Sequence, residues 1–271
     1  MSSGITIVDL APAYEPSFLV CLKDWDRDTR PSCHKERWYS KMKDRGLRVK
    51  IALDDAGRAS GMIQYVPVEH SRAEGHDLYL VQCIWVHGYD EGLGNVQGRG
   101  IGQALLQAAE QDARALGAKG MAAWGLAFPH WMPAAWYEKH GYVEVDRVGV
   151  DVLVWKPFSE GATPPRWLRP RKAPGVTPGQ VTVTAFVNAW CPSACEVSEV
   201  ARRIAAEFGD RVVFQKIDTS ERDVLLEWGI ENALFIDDEC VNAGVTDYPP
   251  PGDEDIRARV RQRFEKASRS L

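Results

Sequence analysis

The chain has 271 residues, of which 45% are hydrophobic and 26% are charged, and its formal net charge is −5. This length and composition permit one large packed domain or two ordinary ones, and they exclude a collagen-like, coiled-coil or disordered chain. The acidic balance argues against nucleic acid as a main partner, because a surface that binds phosphates needs an excess of basic residues.

The sequence carries no sign of a membrane or secretory protein. No apolar run approaches the roughly 20 residues that a membrane-spanning helix needs, and residues 1–16 lack the basic and apolar regions of a signal peptide. Six cysteines are too few for a disulfide framework in a chain of this length. We therefore expect a cytoplasmic protein without a membrane partner.

The first part of the chain mixes strand and helix patterns. Residues 77–86 (DLYLVQCIWV) form a long apolar run, which indicates a buried central strand. In chain order the predicted elements are a strand at 5–10, helices at 16–24 and 35–45, strands at 48–53, 61–66 and 77–86, a helix at 101–116, a strand at 120–124, a helix at 133–140, and strands at 142–145 and 150–155. This order predicts an α/β domain with a mixed (α+β) sheet.

A proline-rich segment divides the chain. Residues 161–179 hold five prolines and three glycines, and proline lacks the N–H group that a helix interior or a central strand needs. We therefore predict a first domain at residues 1–158, a linker at 159–180 and a second domain at 181–271.

The second part is smaller and follows the order β, α, β, α, β, β, α. Residues 181–187 are apolar and β-branched, which indicates a buried strand. The further predicted elements are a helix that starts at the motif Cys191-Pro-Ser-Ala-Cys195 and ends near residue 208, a strand at 212–217, a helix at 220–228, hairpin strands at 233–236 and 239–242, and a helix at 253–267.

A glycine-rich loop, residues 97–102 (QGRGIG), follows the buried strand and opens a helix. A helix N-terminus has unpaired N–H groups and a partial positive charge, and glycines let an anion approach the backbone closely. The loop therefore predicts a pyrophosphate site, with a plain turn as the alternative. A dinucleotide site is disfavoured because the next strand carries no acidic residue, and a Walker loop is excluded because no Lys-Ser or Lys-Thr pair follows.

These motifs resemble the GCN5-related N-acetyltransferase (GNAT) family. The pattern Q-x-x-G-x-G is similar to that family's coenzyme A loop, and residues 135–142 (AWYEKHGY) are similar to its second hallmark segment. The resemblance covers roughly residues 5–157. It implies a GNAT fold, acetyl-CoA as cosubstrate, and transfer of the acetyl group to a primary amine of a small molecule or peptide by direct attack in a ternary complex.

The resemblance also implies roles for individual residues. Tyr137 matches the tyrosine that protonates the departing thiolate, and a core aromatic residue is the alternative. Candidate bases are Glu69, His70 and His87, although deprotonation through water is also open. The residues implied in cofactor binding are Ile84, Trp85, Val86, Gln97, Gly98, Arg99, Gly100, Ile101 and Gly102.

The chain departs from the family in the connection between the central strand and the loop. Ten residues, 87–96, stand there, which is longer than usual, so this segment is expected to shape a substrate pocket or a lid. Aromatic residues in the candidate acceptor wall favour an acceptor that is apolar or aromatic, and core packing is the alternative reading of these residues. They are Trp25, Trp38, Tyr39, Tyr65, Trp85 and Trp131.

The second part resembles the thioredoxin fold, because Trp190 and Cys191 stand between a buried strand and a helix. Cys191 and Cys195 are redox candidates, but their C-x-x-x-C spacing is one residue longer than C-x-x-C, and the expected proline near residue 232 is missing. A docking or substrate-presenting role is therefore the leading alternative for this part. Cys83 is interpreted as a core residue, with a nucleophile as the alternative, and no metal site is predicted.

The combination of the two parts resembles the YoaP-type N-acetyltransferases. The second function that the sequence leaves open is a thiol–disulfide or thiol-binding protein, in which Cys191 and Cys195 act and the first domain only binds coenzyme A. Replacing Tyr137 by phenylalanine should reduce turnover under the first hypothesis and have little effect under the second.

Overall fold

A computed structural model describes residues 4–23, 33–129, 131–177, 179–244, 246–247 and 249–269. The chain divides into two compact units, Met1–Trp167 and Leu168–Leu271. The boundary between the units falls inside the proline-rich segment for which a linker was predicted. Within the described residues, no helix is long and apolar enough to cross a membrane.

The first unit is built on a mixed sheet that carries helices. Its strands are β1 (Thr6–Asp9), β2 (Arg48–Leu53), β3 (Ala59–Pro67), β4 (Ala73–Glu74), β5 (Leu78–Val86), β6 (Gly120–Leu126), β7 (Val143–Val148), β8 (Asp151–Pro157) and β9 (Arg166–Trp167), and its helices are α1 (Glu15–Leu19), α2 (Cys33–Lys43), α3 (Ile101–Ala115) and α4 (Ala134–Glu138). Seven of these described strands form a sheet in the order β1-β2-β3-β5-β6-β8-β7. Strands β5 and β6 are parallel, and the other neighbours are antiparallel. The predicted mixed α/β fold is confirmed.

Helix α3 packs on the sheet through an apolar stripe. Ile101, Leu105 and Ala109 are among its buried residues, and their spacing matches one face of a helix. Gly61 on β3 lets the helix approach closely, because a Cβ atom at this position would lie 2.9 Å from Ile101 Cγ2. The glycine thus fixes how near the N-terminal half of α3 lies to the sheet.

A group of polar contacts holds the other half of α3. The carboxylate of Asp112 accepts hydrogen bonds from Arg48 Nε at 2.8 Å, Lys50 Nζ at 3.1 Å and the Tyr65 hydroxyl at 2.6 Å. Burial by itself would raise the pKa of Asp112, but the donors Arg48, Tyr65 and Lys50 lower this pKa to about 2. The carboxylate is therefore ionised at neutral pH and ties α3 to β2 and β3.

Strands β5 and β6 separate partway along their length. Their parallel register ends at the pair of Val81 and Ala123, and both strands continue for several residues beyond it. In the gap, the indole N–H of Trp124 donates to the backbone oxygen of Gln82 at 2.9 Å. The end of β5 therefore has an edge that β6 does not cover.

The second unit has a smaller mixed sheet. Its elements are β10 (Val181–Val187), α5 (Pro192–Glu207), β11 (Val212–Asp218), α6 (Arg222–Trp228), β12 (Ala233–Ile236), β13 (Glu239–Asn242) and α7 (Asp253–Arg269). The sheet order is β11-β10-β12-β13, with β10 parallel to β11 and antiparallel to β12. Phe186, Ile230 and Phe235 belong to its buried core. The elements follow the predicted order.

Two differences from the sequence prediction concern the linker and the first helix. Strand β9 (Arg166–Trp167) pairs with β4 (Ala73–Glu74), so the start of the predicted linker belongs to the first unit. The helix predicted at residues 16–24 ends at Leu19, because Cys21 and Leu22 adopt left-handed φ angles of 52° and 65°. Such angles are incompatible with a continued right-handed helix.

Candidate active site

A groove of about 770 Å³ opens beside the N-terminus of α3. The end of β5, the glycine-rich loop and α4 contribute to its wall. It brings together most of the residues predicted for cofactor binding and catalysis, namely Ile84, Trp85, Val86, Gln97, Gly98, Gly100, Ile101, Gly102 and Tyr137. Residues far apart in the sequence thus face one cavity.

The glycine-rich loop presents open backbone to the groove. Gly98 and Gly100 have left-handed φ angles of 75° and 82°, and a Cβ atom at either position would meet no described atom within 4 Å. Gly100 is the N-cap of α3, and no described side chain caps the helix there. The first N–H groups of α3 are therefore available to an anion, and the helix dipole favours negative charge at the same place.

Gln97 ties this loop to the end of β5. Its side-chain Nε2 donates to the backbone oxygen of Val86 at 3.0 Å, and its backbone N–H donates to Asn95 Oδ1 at 3.0 Å. Gly88 lies against the same amide, and a Cβ atom at Gly88 would overlap Gln97. The side chain of Gln97 therefore positions the loop relative to the strand.

Tyr137 on α4 has a buried hydroxyl that faces this region. The residue is 0% exposed, its ring packs on Trp136 and Tyr142 with centroid distances of 5.0 and 5.5 Å, and its hydroxyl has no hydrogen-bond partner among the described residues. Burial, with a smaller contribution from Cys83, raises the pKa of Tyr137 well above its usual value. The hydroxyl therefore stays protonated at neutral pH, so it can donate a proton but not accept one.

Trp136 and His140 are among the groove residues that the sequence analysis did not predict as site residues. Trp136 lies 3.3 Å from the position that a Cβ atom on Gly102 would occupy, and it stacks on His140 with ring centroids 4.3 Å apart. The signal in the sequence was helical spacing. Trp136 and His140 are four residues apart, so their side chains lie on the same face of α4 and of the turn that follows it. Both rings line the groove, and Trp136 lies against the end of the glycine-rich loop.

The candidate bases lie outside the lining of the groove. Glu69 is exposed and His70 is half-buried at a short 3-10 turn after β3. His87 is 1% exposed, and its Nδ1 lies 3.0 Å from the backbone oxygen of Gly94. With the bond from Val96 N–H to the His87 oxygen at 3.0 Å, this histidine braces residues 87–96. Arg99 is exposed in the loop.

The aromatic residues predicted for an acceptor wall separate into different places. Tyr65 donates to Asp112 on α3, Trp38 is buried, and Trp25 lies outside the described residues. Trp85 and Trp131 line the groove. Only this last pair is therefore placed where an acceptor in the groove could touch it.

The cysteines of the second unit are positioned by α5. Cys191 is the N-cap of the helix and is half-buried, whereas Cys195 is 1% exposed in its first turn. Cys83 in the first unit is buried on β5. Over the described parts of the chain, no group of three or more His, Cys, Asp or Glu side chains could hold a metal ion.

Residues 46–144 match the family model described as the acetyltransferase (GNAT) domain. No curated protein sequence matches the chain. Similar solved structures include the GNAT N-acetyltransferase YhbS from Escherichia coli in complex with CoA, at 14% identity over 62% of this chain and 91% of that chain with a TM-score of 0.43. Others are a GNAT acetyltransferase from Brucella melitensis in complex with acetyl-CoA, at 16% identity over 60% and 92% with a TM-score of 0.41, and the PaiA N-acetyltransferase from Thermoplasma acidophilum in complex with coenzyme A, at 14% identity over 57% and 99% with a TM-score of 0.39.

The matched residues contain the whole described lining of the groove. They run from just before β2 into β7 and include both the glycine-rich loop and Tyr137. This part of the chain is similar to the GNAT acetyltransferase domain over the matched residues. The resemblance drawn from the loop and from the segment AWYEKHGY is confirmed at that level.

Proposed function

We propose that the first unit transfers an acetyl group from acetyl-CoA to a primary amine of a small molecule or peptide, by direct attack in a ternary complex. One observation carries the proposal. A single groove is lined by both the uncapped N-terminus of α3 and Tyr137, whose buried hydroxyl is protonated. An anion site and a buried proton donor in one groove suit a thioester with a diphosphate at its other end.

The backbone around residues 98–102 would bind the pyrophosphate of acetyl-CoA. The residues present fit a pyrophosphate, because Gly98 and Gly100 have no side chain and the space where a Cβ atom would lie is empty. Gly102 supports the fit, since a Cβ atom there would press on Trp136. Amide N–H groups and the helix dipole then supply the positive potential without a lysine.

The uncovered edge of β5 would polarise the acetyl carbonyl. The Val86 oxygen points to this edge, because Gln97 reaches it there, and the N–H of His87 points to the opposite edge, where it donates to Ser60. Backbone groups alternate along a strand, so Ile84 shares the edge of Val86. The N–H of Ile84 is therefore our candidate for the oxyanion contact.

Tyr137 would donate the proton that completes the reaction. The amine nitrogen forms its bond to the carbonyl carbon, the bond from this carbon to sulfur breaks, and the hydroxyl protonates the departing thiolate. Glu69 and His87 stay candidates for taking the amine proton. Because neither residue lines the groove, a route through water to one of them is required.

A titration of acetyl-CoA into the protein by calorimetry tests the proposal. Gly100→Asp puts a carboxylate at the anion site, and we expect it to abolish binding. Gly117→Asp is the matched control, because Gly117 has a φ angle of 85° and the same open surroundings but lies beyond the other end of α3. Wild-type protein that does not bind acetyl-CoA, or equal binding by both variants, would refute the assignment.

For the second unit we propose a thioredoxin-like fold, as in the YoaP-type arrangement. The parallel pair β10 and β11, the antiparallel β12 and β13, and the position of Cys191 at the start of α5 support it. Such a fold makes a thiol–disulfide function of Cys191 and Cys195 the second candidate. The test is alkylation of the free thiols after mild oxidation, followed by mass spectrometry. If Cys195 is protected from alkylation as strongly in the Cys191→Ser variant as in the wild-type protein, the thiol–disulfide function is contradicted.

A further inference from the structure

Strand β5 carries one extra residue where it pairs with β3. Val81 pairs with Tyr65 and Cys83 pairs with Gln64, so Gln82 has no opposite residue in the register. This arrangement is a β-bulge, a feature that redirects side chains and is frequent beside active sites. The bulge lies where β5 separates from β6, since their common register ends at Val81.

The side-chain amide of Gln82 is buried at this bulge without a hydrogen bond. Gln82 is 2% exposed, and neither its Oε1 nor its Nε2 has a partner among the residues that the structure describes. An unbonded buried amide destabilises a protein, and the great majority of buried polar side-chain atoms are bonded to protein or water. Gln82 does not line the groove, but it stands where β5 and β6 separate, so a ligand that enters between these strands would supply the missing bonds.

Indole rings connect the bulge to the groove. Trp124 donates to the backbone oxygen of Gln82 at 2.9 Å and packs edge to face on Trp131, with ring centroids 5.4 Å apart. Trp131 is half-buried and lines the groove. An acceptor that reaches Gln82 from the groove therefore passes an aromatic surface, which suits a flat apolar group.

The cation that stacks on Trp124 is compensated by a carboxylate. The guanidinium carbon of Arg72 lies 5.4 Å from the Trp124 ring, and its Nη1 donates to Asp151 Oδ2 at 2.8 Å. Because the amide of Gln82 carries no net charge, a neutral polar group is its matched partner. A carboxamide offers a donor and an acceptor side by side, which complement those of a glutamine amide.

We propose that Gln82 binds the acceptor, and that the acceptor is a primary amine that carries an aromatic ring and a carboxamide. An aromatic amino-acid amide or the N-terminus of a peptide has this chemistry. The inference rests on the proposed acetyl transfer, since it names the substrate class of the same groove. In this arrangement the carboxamide pairs with Gln82, the ring packs near Trp131, and the amine faces the thioester.

Two amines that differ only in the carboxamide test the inference. Phenylalaninamide and phenethylamine are compared as acceptors by the release of coenzyme A thiol, at equal concentrations of unprotonated amine, because the neighbouring carboxamide lowers the pKa of the amine. We expect wild-type protein to prefer phenylalaninamide by about tenfold or more in kcat/KM, and Gln82→Leu to remove this preference. Acetyl-CoA affinity should not change, and Tm should stay equal or rise, because the variant buries no unbonded amide.

Gln111→Leu is the matched control, because Gln111 is an exposed glutamine on α3; it should keep the preference. Wild-type protein without the preference, or Gln82→Leu that retains it, would overturn the inference. A Tm that falls by several degrees in both Gln82→Leu and Gln82→Met would show a structural role instead. If neither amine is acetylated, both are titrated into protein saturated with coenzyme A, and equal or no binding overturns the substrate class. Failure of wild-type protein to bind acetyl-CoA would instead refute the proposed function.

Discussion

Replacing Tyr137 by phenylalanine removes one buried hydroxyl and leaves the ring contacts in place. The ring keeps its packing on Trp136 and Tyr142, and the hydroxyl has no partner to lose among the described residues. An unbonded buried polar group costs roughly 1–3 kcal/mol. The free energy of unfolding should therefore stay equal or rise by up to that amount, which corresponds to a Tm increase of about 2–4 °C per kcal/mol.

The same change should reduce turnover strongly. A positioned general acid contributes about 10²- to 10⁴-fold to a rate, so the barrier should rise by about 3–5 kcal/mol. The assay is the release of coenzyme A thiol with an amine that the wild-type protein acetylates, together with calorimetry of acetyl-CoA. Because burial holds the pKa of Tyr137 well above 10, the wild-type rate should show no decline from its ionisation at neutral pH.

Tyr142→Phe is the control for this experiment. Tyr142 is also buried and packs on Tyr137, but it does not line the groove, so its loss should leave kcat near the wild-type value. The reasoning is refuted if Tyr137→Phe retains wild-type kcat, because the hydroxyl would then donate no proton. A clear decrease in the Tm of Tyr137→Phe would also contradict the reasoning, since it would reveal a hydrogen bond of the hydroxyl that the described residues do not provide.

Three further changes test the frame of the site. Asp112→Asn should lower the free energy of unfolding by about 1–2 kcal/mol at pH 7, after discounting for solvent screening. Because the folded-state pKa of Asp112 is lowered to about 2, its stabilisation is present above about pH 4 and is lost as the pH falls towards 2, which urea unfolding at several pH values measures. Lys156→Met should cost about 2 kcal/mol in the same assay, because it removes a cation 3.0 Å from the buried Glu110. Gln97→Leu removes the bond to Val86 and should weaken acetyl-CoA binding about five- to tenfold in calorimetry while Tm changes little.

Local sequence patterns predicted those helices and strands that depend on residues close together in the sequence. The apolar run at residues 77–86 became β5 (Leu78–Val86), and the hairpin strands of the second unit have the predicted bounds. Strand β9 was missed because two residues give no periodic pattern, and its pairing depends on distant contacts. One of these is the bond from Trp167 N–H to Asp146 Oδ2 at 2.7 Å.

The candidate site likewise has a part that could be predicted from local sequence and a part that could not. The glycine-rich loop could be predicted because helix starts and glycine positions are read along the chain. That Tyr137 shares a groove with this loop followed only from the family resemblance. The bulge at Gln82 could not be predicted, since a bulge is a property of the register between two strands. Nor could the sequence tell that His87 is bonded to Gly94 inside its own segment.

Two unbonded polar groups belong to elements that contribute to the groove, α4 and β5. The hydroxyl of Tyr137 comes from α4 and the amide of Gln82 from β5, and both are buried without partners among the described residues. Each lowers stability where it stands, and functional sites are where proteins retain such groups. The two groups differ in what they can offer. The hydroxyl can supply a proton to a leaving group, whereas the amide can only form hydrogen bonds. In the proposed reaction, Tyr137 would therefore take the chemical step and Gln82 would recognise the acceptor.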